Sequence, residues 1–450
     1  MTYFHDLGDY LMQSIIQETL LLIGMILVLI LLFRNNKQNG QVSITSGILT
    51  GVLLYYFTVP FFIFLLREEA EQSGRNSLVT IVGADGLDVL LAILRVLVFL
   101  FTYLLVNQRY NNRRMRITYT IAEDRLVNVL KFFVWTTFLI GGGSFLLYIS
   151  AFGGLKELLY YAEYLRSFAT NATRIIPYLA SIMVIPARLI TVTPILILVL
   201  LGYRKKDKFT LVYILMFVIS FFGAVAFCLA NAGRALLITY GICFVIPLLQ
   251  KVIRKPWRLT FAIGIISLPI LDYLDALFIF FQTGKLVVTQ SSFISYLRQF
   301  SFPFANVLNQ WKIVEKFGIR YCQDFITGVL NIIPGVNFQP SYEVTSAFYG
   351  GELWKRAGGG IPNDIVTFGY IEFGILGVFL VAMILGIVSG KMDRLLLGMD
   401  NRFSSNVLRT TVIVSFFCLV FNADIVSIVR SQFLLTIPCI CLLYASRRNP

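Results

Sequence analysis

Long unbroken runs of apolar residues, separated by short polar and basic clusters, make up most of the chain. An amphipathic helix would show an apolar residue every three or four positions and a half-buried strand would alternate, and neither pattern dominates here. Runs of about twenty apolar residues instead match the thickness of a bilayer core. No water is available there to satisfy peptide groups, so spanning segments must be helices or closed barrels, and these runs are too continuous for barrel strands. The pattern predicts an all-α, polytopic integral membrane protein with about 11 transmembrane helices. The expected spans are 15–33, 46–66, 89–106, 132–151, 179–202, 209–230, 235–250, 259–280, 366–389, 407–421 and 426–445. The first is preceded by the acidic and polar tail MTYFHDLGDY, with no basic n-region, and no small-residue cleavage site follows it, so it reads as a retained span rather than a signal.

Alternate connections are basic: RNNK at 34–37, RYNNRRMR at 109–116, RKKDK at 204–208, KVIRKPWR at 251–258, KMDRLLLGMDNR at 391–402 and the tail SRRNP. Together with Arg125, Lys131 and Arg409 they hold 22 of the 38 lysines and arginines, which places these loops in the cytoplasm, the N-terminus outside and the C-terminus inside. The whole of 1–450 is then one membrane-embedded domain with two enlarged external loops. The first, 152–178, contains LKELLYYAEYLRSF, whose Leu158, Leu159, Tyr161, Tyr164, Leu165 and Phe168 recur at helical spacing and predict a helix lying along the membrane surface. The second, 281–365, has the size of a functional lid or a small extra domain. Within it NQWKIVEKFGIRYCQDF predicts an amphipathic surface helix, with Trp311, Val314, Phe317 and Phe325 facing the bundle or the interface. Turn-rich sequence from Pro334 to Pro362 follows, and no internal repeat is evident.

Composition agrees with the pattern: 57% of residues are hydrophobic and 14% charged, against roughly 25% charged in soluble domains. The net charge of +14 is largely topological, with anionic lipid headgroups as its natural partners, and gives no reason to expect nucleic acid. Cys228, Cys243, Cys418, Cys439 and Cys441 fall in spans and Cys322 alone is external, so no disulfide framework is expected. The only histidine, His5, lies in the N-terminal tail, which leaves no metal constellation. No Walker loop, dinucleotide fingerprint or HExxH is present, and neither a metal nor a cofactor is expected.

Charged residues at membrane depth are expensive and invite a functional explanation. Arg95, Arg188, Arg234 and Arg430 are such residues, each also readable as an arginine reaching the headgroups or paired with a carboxylate. Arg188 follows Pro186 in VIPARLITVTP, which suggests a kinked or re-entrant piece, and Arg234 follows Ala232 and Gly233 where a span emerges. An outward-facing arginine cluster suits a pyrophosphate, because guanidinium stays charged and its donor fork matches phosphate oxygens. Arg166, Arg174, Arg298, Arg320 and Arg356 add external candidates. Asp272, Asp275, Glu343, Glu352, Asp364, Glu372 and Asp424 are the carboxylates available as bases or ion-pair partners, and spacing singles out none of them.

The second loop ends in GGGIPNDIVTFGYIEFGILGV, and this stretch, with Gly369, Tyr370, Phe373, Gly374 and Gly377, resembles the bacterial O-antigen polymerase (Wzy-type oligosaccharide repeat unit polymerase) family. NAGRALL is similar to that family's arginine entering a mid-chain helix. As architecture the resemblance spans the chain; as sequence it is specific across 230–242 and 358–378. It implies a glycosyltransferase that joins undecaprenyl pyrophosphate-linked repeat units into a surface polysaccharide (O-antigen, capsule or exopolysaccharide) on the outer face of the bacterial plasma membrane. It also implies a flippase and a chain-length regulator as partners. Arg234, Asp364 and Glu372 are then the expected catalytic residues, and Arg174, Arg188, Arg234, Arg298 and Arg356 the expected pyrophosphate contacts. O-antigen ligases share the plan but resemble one another in a loop histidine that this chain lacks. A transporter of a lipid-linked oligosaccharide is the alternative from another class, disfavoured by the long one-sided loop and the lack of repeat symmetry.

Overall fold

The computed structural model describes residues 2–39, 42–73, 76–111, 123–159, 177–203, 209–230, 234–252, 276, 280, 292–330, 341–350, 361–399, 402–425, 428 and 432–446. Among these the chain is helical, without strands. Eight helices are long and apolar enough to cross a membrane: Ile15–Lys37, Ile44–Leu65, Gly86–Asn111, Glu123–Ala151, Tyr178–Tyr203, Thr210–Ala230, Ile365–Leu397 and Phe403–Phe421. The spans expected at 235–250 and 426–445 are represented by the shorter apolar helices Leu236–Gln250 and Phe433–Ala445. The one expected at 259–280 lies, apart from Ala276 and Phe280, outside the described residues. The chain is thus an all-α polytopic membrane protein.

Burial grades the helices from centre to rim. In Phe403–Phe421, 78% of the apolar window is enclosed, against 22% in Ile15–Lys37, so the former is the axis of the bundle and the latter turns most of its surface to lipid. Ile44–Leu65, Tyr178–Tyr203 and the Arg234–Val252 helix pack around that axis. The tightest pairing joins Gly86–Asn111 to the second part of Ile365–Leu397. Gly386 and Gly390, four residues apart, admit the other backbone there: a Cβ on Gly386 would lie 3.0 Å from the Tyr103 carbonyl oxygen and one on Gly390 3.1 Å from that of Asn107.

Several spans are not straight, and prolines or glycines explain where. Pro60 lacks an N–H and its ring conflicts with the carbonyl four residues earlier, on Tyr56. The chain answers with a π turn over Leu54–Thr58, in which the Val59 N–H donates to the Leu54 carbonyl. Between Pro186 and Pro194 the span Tyr178–Tyr203 tightens into a 3-10 turn, Arg188–Thr191. That turn presses on a second π turn, Thr137–Gly141, where a Cβ on Gly141 would stand 2.6 Å from the Ile190 amide nitrogen. The kinked piece expected at Pro186 is therefore present.

At the end of the bundle joined by the basic loops, Asp393 corrects an expectation. The stretch 391–402 reads as a loop, but the helix continues to Leu397 and carries Asp393 inward, fully buried. Its carboxylate accepts hydrogen bonds from the Ile44 N–H (2.6 Å), the Thr45 N–H (3.2 Å) and the Thr45 hydroxyl (3.0 Å), so it caps the N-terminus of a neighbouring helix. The Thr45 hydroxyl lies 3.1 Å from Asn107 Oδ1, and Asn107 in turn donates to Ser389 Oγ at 2.9 Å, closing a buried polar network.

The second loop departs further from expectation. Its amphipathic helix starts earlier, at Phe302, and runs to Phe317. Its first half, 303–310, is enclosed rather than lying on the surface. Trp311, Phe317 and Phe325 remain exposed. Gly318, at φ 79°, ends the helix, and a second one, Gln323–Leu330, follows. In the first loop only 155–159 of the expected surface helix is described, with Leu158 buried against Phe145 and Tyr148.

Candidate functional site

The span expected as one helix over 366–389 is broken. Phe373 (φ −148°, ψ 27°) and Gly374 (φ 61°, ψ −146°) leave helical geometry, and Gly374 occupies a conformation open to glycine. The two parts fold against each other: a Cβ on Gly377 would collide with the Gly369 carbonyl oxygen, although eight residues of continuous helix would separate these positions by about 12 Å. The segment 365–372 is consequently a short re-entrant helix, buried along nearly its whole length, and 375–397 is the spanning one.

Depth follows from the bonds at its start. Asp364 caps the re-entrant helix, its Oδ1 accepting from the Val366 and Thr367 N–H groups at 3.1 and 3.0 Å and from the Tyr56 hydroxyl at 2.7 Å. Tyr56 lies about twelve residues along its span from Ile44, or on the order of 18 Å from the basic end. The long loop therefore does not stop at the rim. Its final residues descend to the middle of the bundle before turning back.

Three elements hold that descent. Asn306 Nδ2 donates to the Pro362 carbonyl at 3.1 Å, the Thr345 hydroxyl to the Ile361 carbonyl at 2.6 Å, and the Ala423 N–H to the Asn363 carbonyl at 2.9 Å. Arg95 reaches the same region from Gly86–Asn111. Its Nη1 donates to the Val307 carbonyl at 3.3 Å, and the Gln310 amide, oriented with its oxygen toward the guanidinium, accepts from Nε at 3.0 Å and Nη1 at 3.2 Å. The Tyr370 ring stacks at 5.4 Å from the Arg95 guanidinium carbon.

The other end of the re-entrant helix carries Glu372. The Arg320 and Tyr321 N–H groups donate to the Ile371 and Glu372 carbonyls, both at 3.0 Å, satisfying acceptors that the break leaves exposed. Tyr321 (φ 48°) and Cys322 (φ 65°) take left-handed backbone conformations to make this turn. Asp324 pairs with Arg320 Nη2 at 2.8 Å and lies within reach of the Glu372 carboxylate, so two buried acids and one arginine meet here. A cleft of about 190 Å³ opens between Thr80, Asp88, Asn309 and Lys312, lined by none of these three side chains.

Asp364 and Glu372 are thus brought to the two ends of one eight-residue helix. The expected arginines are not gathered with them among the described residues. Arg188 lies in the 3-10 turn with its guanidinium 5.8 Å from the Phe227 ring, beside helices 142–151 and 210–230, while Arg298 is exposed on the Phe293–Phe300 helix. Arg234 opens the helix Arg234–Val252, but its side chain is outside the description, as are Arg174, Arg356, Arg430, Asp272, Asp275 and Glu352 and the side chain of Glu343. Tyr56, Asn306, Gln310, Asn363 and Asp324 were not singled out by sequence. The one signal, for Asn306 and Gln310, is the polar spacing of Asn306, Asn309 and Gln310, a stripe on a single face of the otherwise apolar first part, 302–311, of their helix.

No family model matches the chain, and neither a curated protein nor a solved structure is significantly similar to it.

Proposed function

We propose that the chain is a glycosyltransferase that polymerises undecaprenyl pyrophosphate-linked oligosaccharide units on the outer face of the bacterial plasma membrane. The observation that supports this reading best is the one-sided descent of the second loop, which sets the buried acids Asp364 and Glu372 and the arginines Arg95 and Arg320 along one re-entrant helix. In the reaction an acceptor hydroxyl oxygen bonds to the anomeric carbon, the carbon to pyrophosphate-oxygen bond breaks, and the hydroxyl proton passes to a carboxylate. Glu372 suits the base better than Asp364. It sits at the outward tip beside a second acid, whereas one Asp364 oxygen is occupied by three donors at mid-depth. The departing pyrophosphate gains charge that arginine donors would stabilise, with Arg234, Arg174, Arg188, Arg298 and Arg356 as the contributors the resemblance implies.

A second reading has one observation in its favour. A discontinuous helix with buried polar groups at mid-depth is the kind of site built by carriers, here one that would move a lipid-linked oligosaccharide. Reconstituted protein given lipid-linked units on its accessible face separates the two. Polymer formed without added nucleotide supports the enzyme, and translocation without linkage overturns it. Arg234→Ala is expected to abolish long chains while single lipid-linked units persist.

A further inference from the structure

The atoms left over around the start of the re-entrant helix are nearly all oxygens. Asn306 spends its Nδ2 on the Pro362 carbonyl, and its Oδ1, fully buried, has no hydrogen-bond donor among the described residues. Asp364 Oδ1 takes three donors while Oδ2 takes none among the described residues. The Thr367 hydroxyl stands beside the same carboxylate without a bonded geometry, and both side-chain atoms of the buried Asn363 are unpartnered among the described residues. Asn422 Oδ1, one residue before the Ala423 that bonds the Asn363 carbonyl, is also without a donor among the described residues. Each such group at this depth carries the full cost of its lost hydration if nothing satisfies it.

Bonds to the backbone of 362–367 tie these residues to one place, so a single occupant can serve several of them. The occupant must supply positive charge or donors, because every atom of this group that lacks a partner is an oxygen except Asn363 Nδ2. We infer that Asp364 Oδ2, Asn363 Oδ1, Asn306 Oδ1 and Thr367 Oγ1 form a binding site for a monovalent hard cation, sodium in the first instance. Oxygen-only ligation suits such an ion. The charge count selects a monovalent one, because Asp364 is the only carboxylate in the set. The ion would bridge the descending loop, the Phe302–Phe317 helix and the re-entrant helix. This site does not depend on the polymerase reading, since it requires no substrate.

The test uses purified full-length protein in detergent and radiolabelled sodium in a scintillation proximity assay. Saturable binding is expected, displaced by unlabelled sodium and not by choline. Asn363→Leu is the decisive variant, because it removes two unpartnered polar atoms while keeping the volume. It is expected to fold, to be at least as heat-stable as the parent in choline chloride, and to lose sodium binding and sodium-dependent stabilisation by tenfold or more. Asn306→Leu and Thr367→Val should lower binding in the same direction. No saturable binding by the folded parent, or binding unchanged in Asn363→Leu, would overturn the site and leave it a buried water cluster. Displacement by magnesium or calcium at equal concentration would overturn the monovalent assignment. Polymer synthesis need not be measured for any of these outcomes.

Discussion

The Tyr56 hydroxyl donates a 2.7 Å hydrogen bond to Asp364, joining the middle of a membrane span to the last residue of the longest loop across 308 positions of sequence. Through that bond the π turn forced by Pro60 meets the cap of the re-entrant helix, and the loop becomes part of the bundle. Replacing Tyr56 by Phe keeps the ring and removes only the donor. A hydrogen bond to a charged group is worth about 1.5–3 kcal/mol, so Y56F should melt measurably below the parent in detergent. An unchanged melting temperature would show that Asp364 is held by its helix N–H donors alone.

Gly377 and Gly369 meet backbone to backbone, and there is no room for a methyl group between them. Gly377→Ala must push the re-entrant helix away, at a cost on the order of 1–3 kcal/mol or more. Gly374→Ala adds strain at a positive φ, with a cost of the same order. Gly241→Ala, where a Cβ would meet nothing within 4 Å, is the control. Thermal aggregation in detergent should rank the first two well below the third.

Arg95 serves three acceptors at once, the Val307 carbonyl, the Gln310 amide oxygen and the Tyr370 ring face. An ammonium group cannot reproduce that planar fork, so Arg95→Lys is expected to behave much more like Arg95→Ala than like the parent. Both should loosen the Phe302–Phe317 helix, read as faster proteolysis or hydrogen exchange across 302–317. Retained protection in the lysine variant alone would reduce Arg95 to its charge.

Asp393 caps a helix at the end of the bundle far from Glu372. Removing it with Asp393→Ala leaves the Ile44 and Thr45 N–H groups without their acceptor and should destabilise by about 0.5–2 kcal/mol. If the re-entrant helix carries the chemistry, surviving folded D393A protein should keep its polymerising activity per molecule. Glu372→Gln should do the reverse, with stability close to that of the parent and polymer lost. Equal loss of polymer in both variants would argue against Glu372 as the base.

Hydrophobic run length was sufficient to establish the membrane class and to place most spans within a few residues, because lipid offers no alternative partner for backbone polar groups and the requirement is met residue by residue along the chain. The proline and glycine breaks were also legible in part: Pro186 announced the irregularity at Arg188, since the missing N–H is a local fact. What no local pattern could supply was the course of 361–372. From Ile365 onward its residues run into the apolar stretch that follows without an evident break, yet they form a hairpin with 375–397, because one strained glycine and one glycine pair decide whether a helix continues or folds back. Asp393 and Asp364 read alike in the sequence, as acids near span ends, and both turned out to be buried helix caps, one at the basic end and one at mid-depth. Their partners, Ile44 and Tyr56, lie more than 300 positions away, and only the packing of helices remote in sequence decides which donors a buried carboxylate meets.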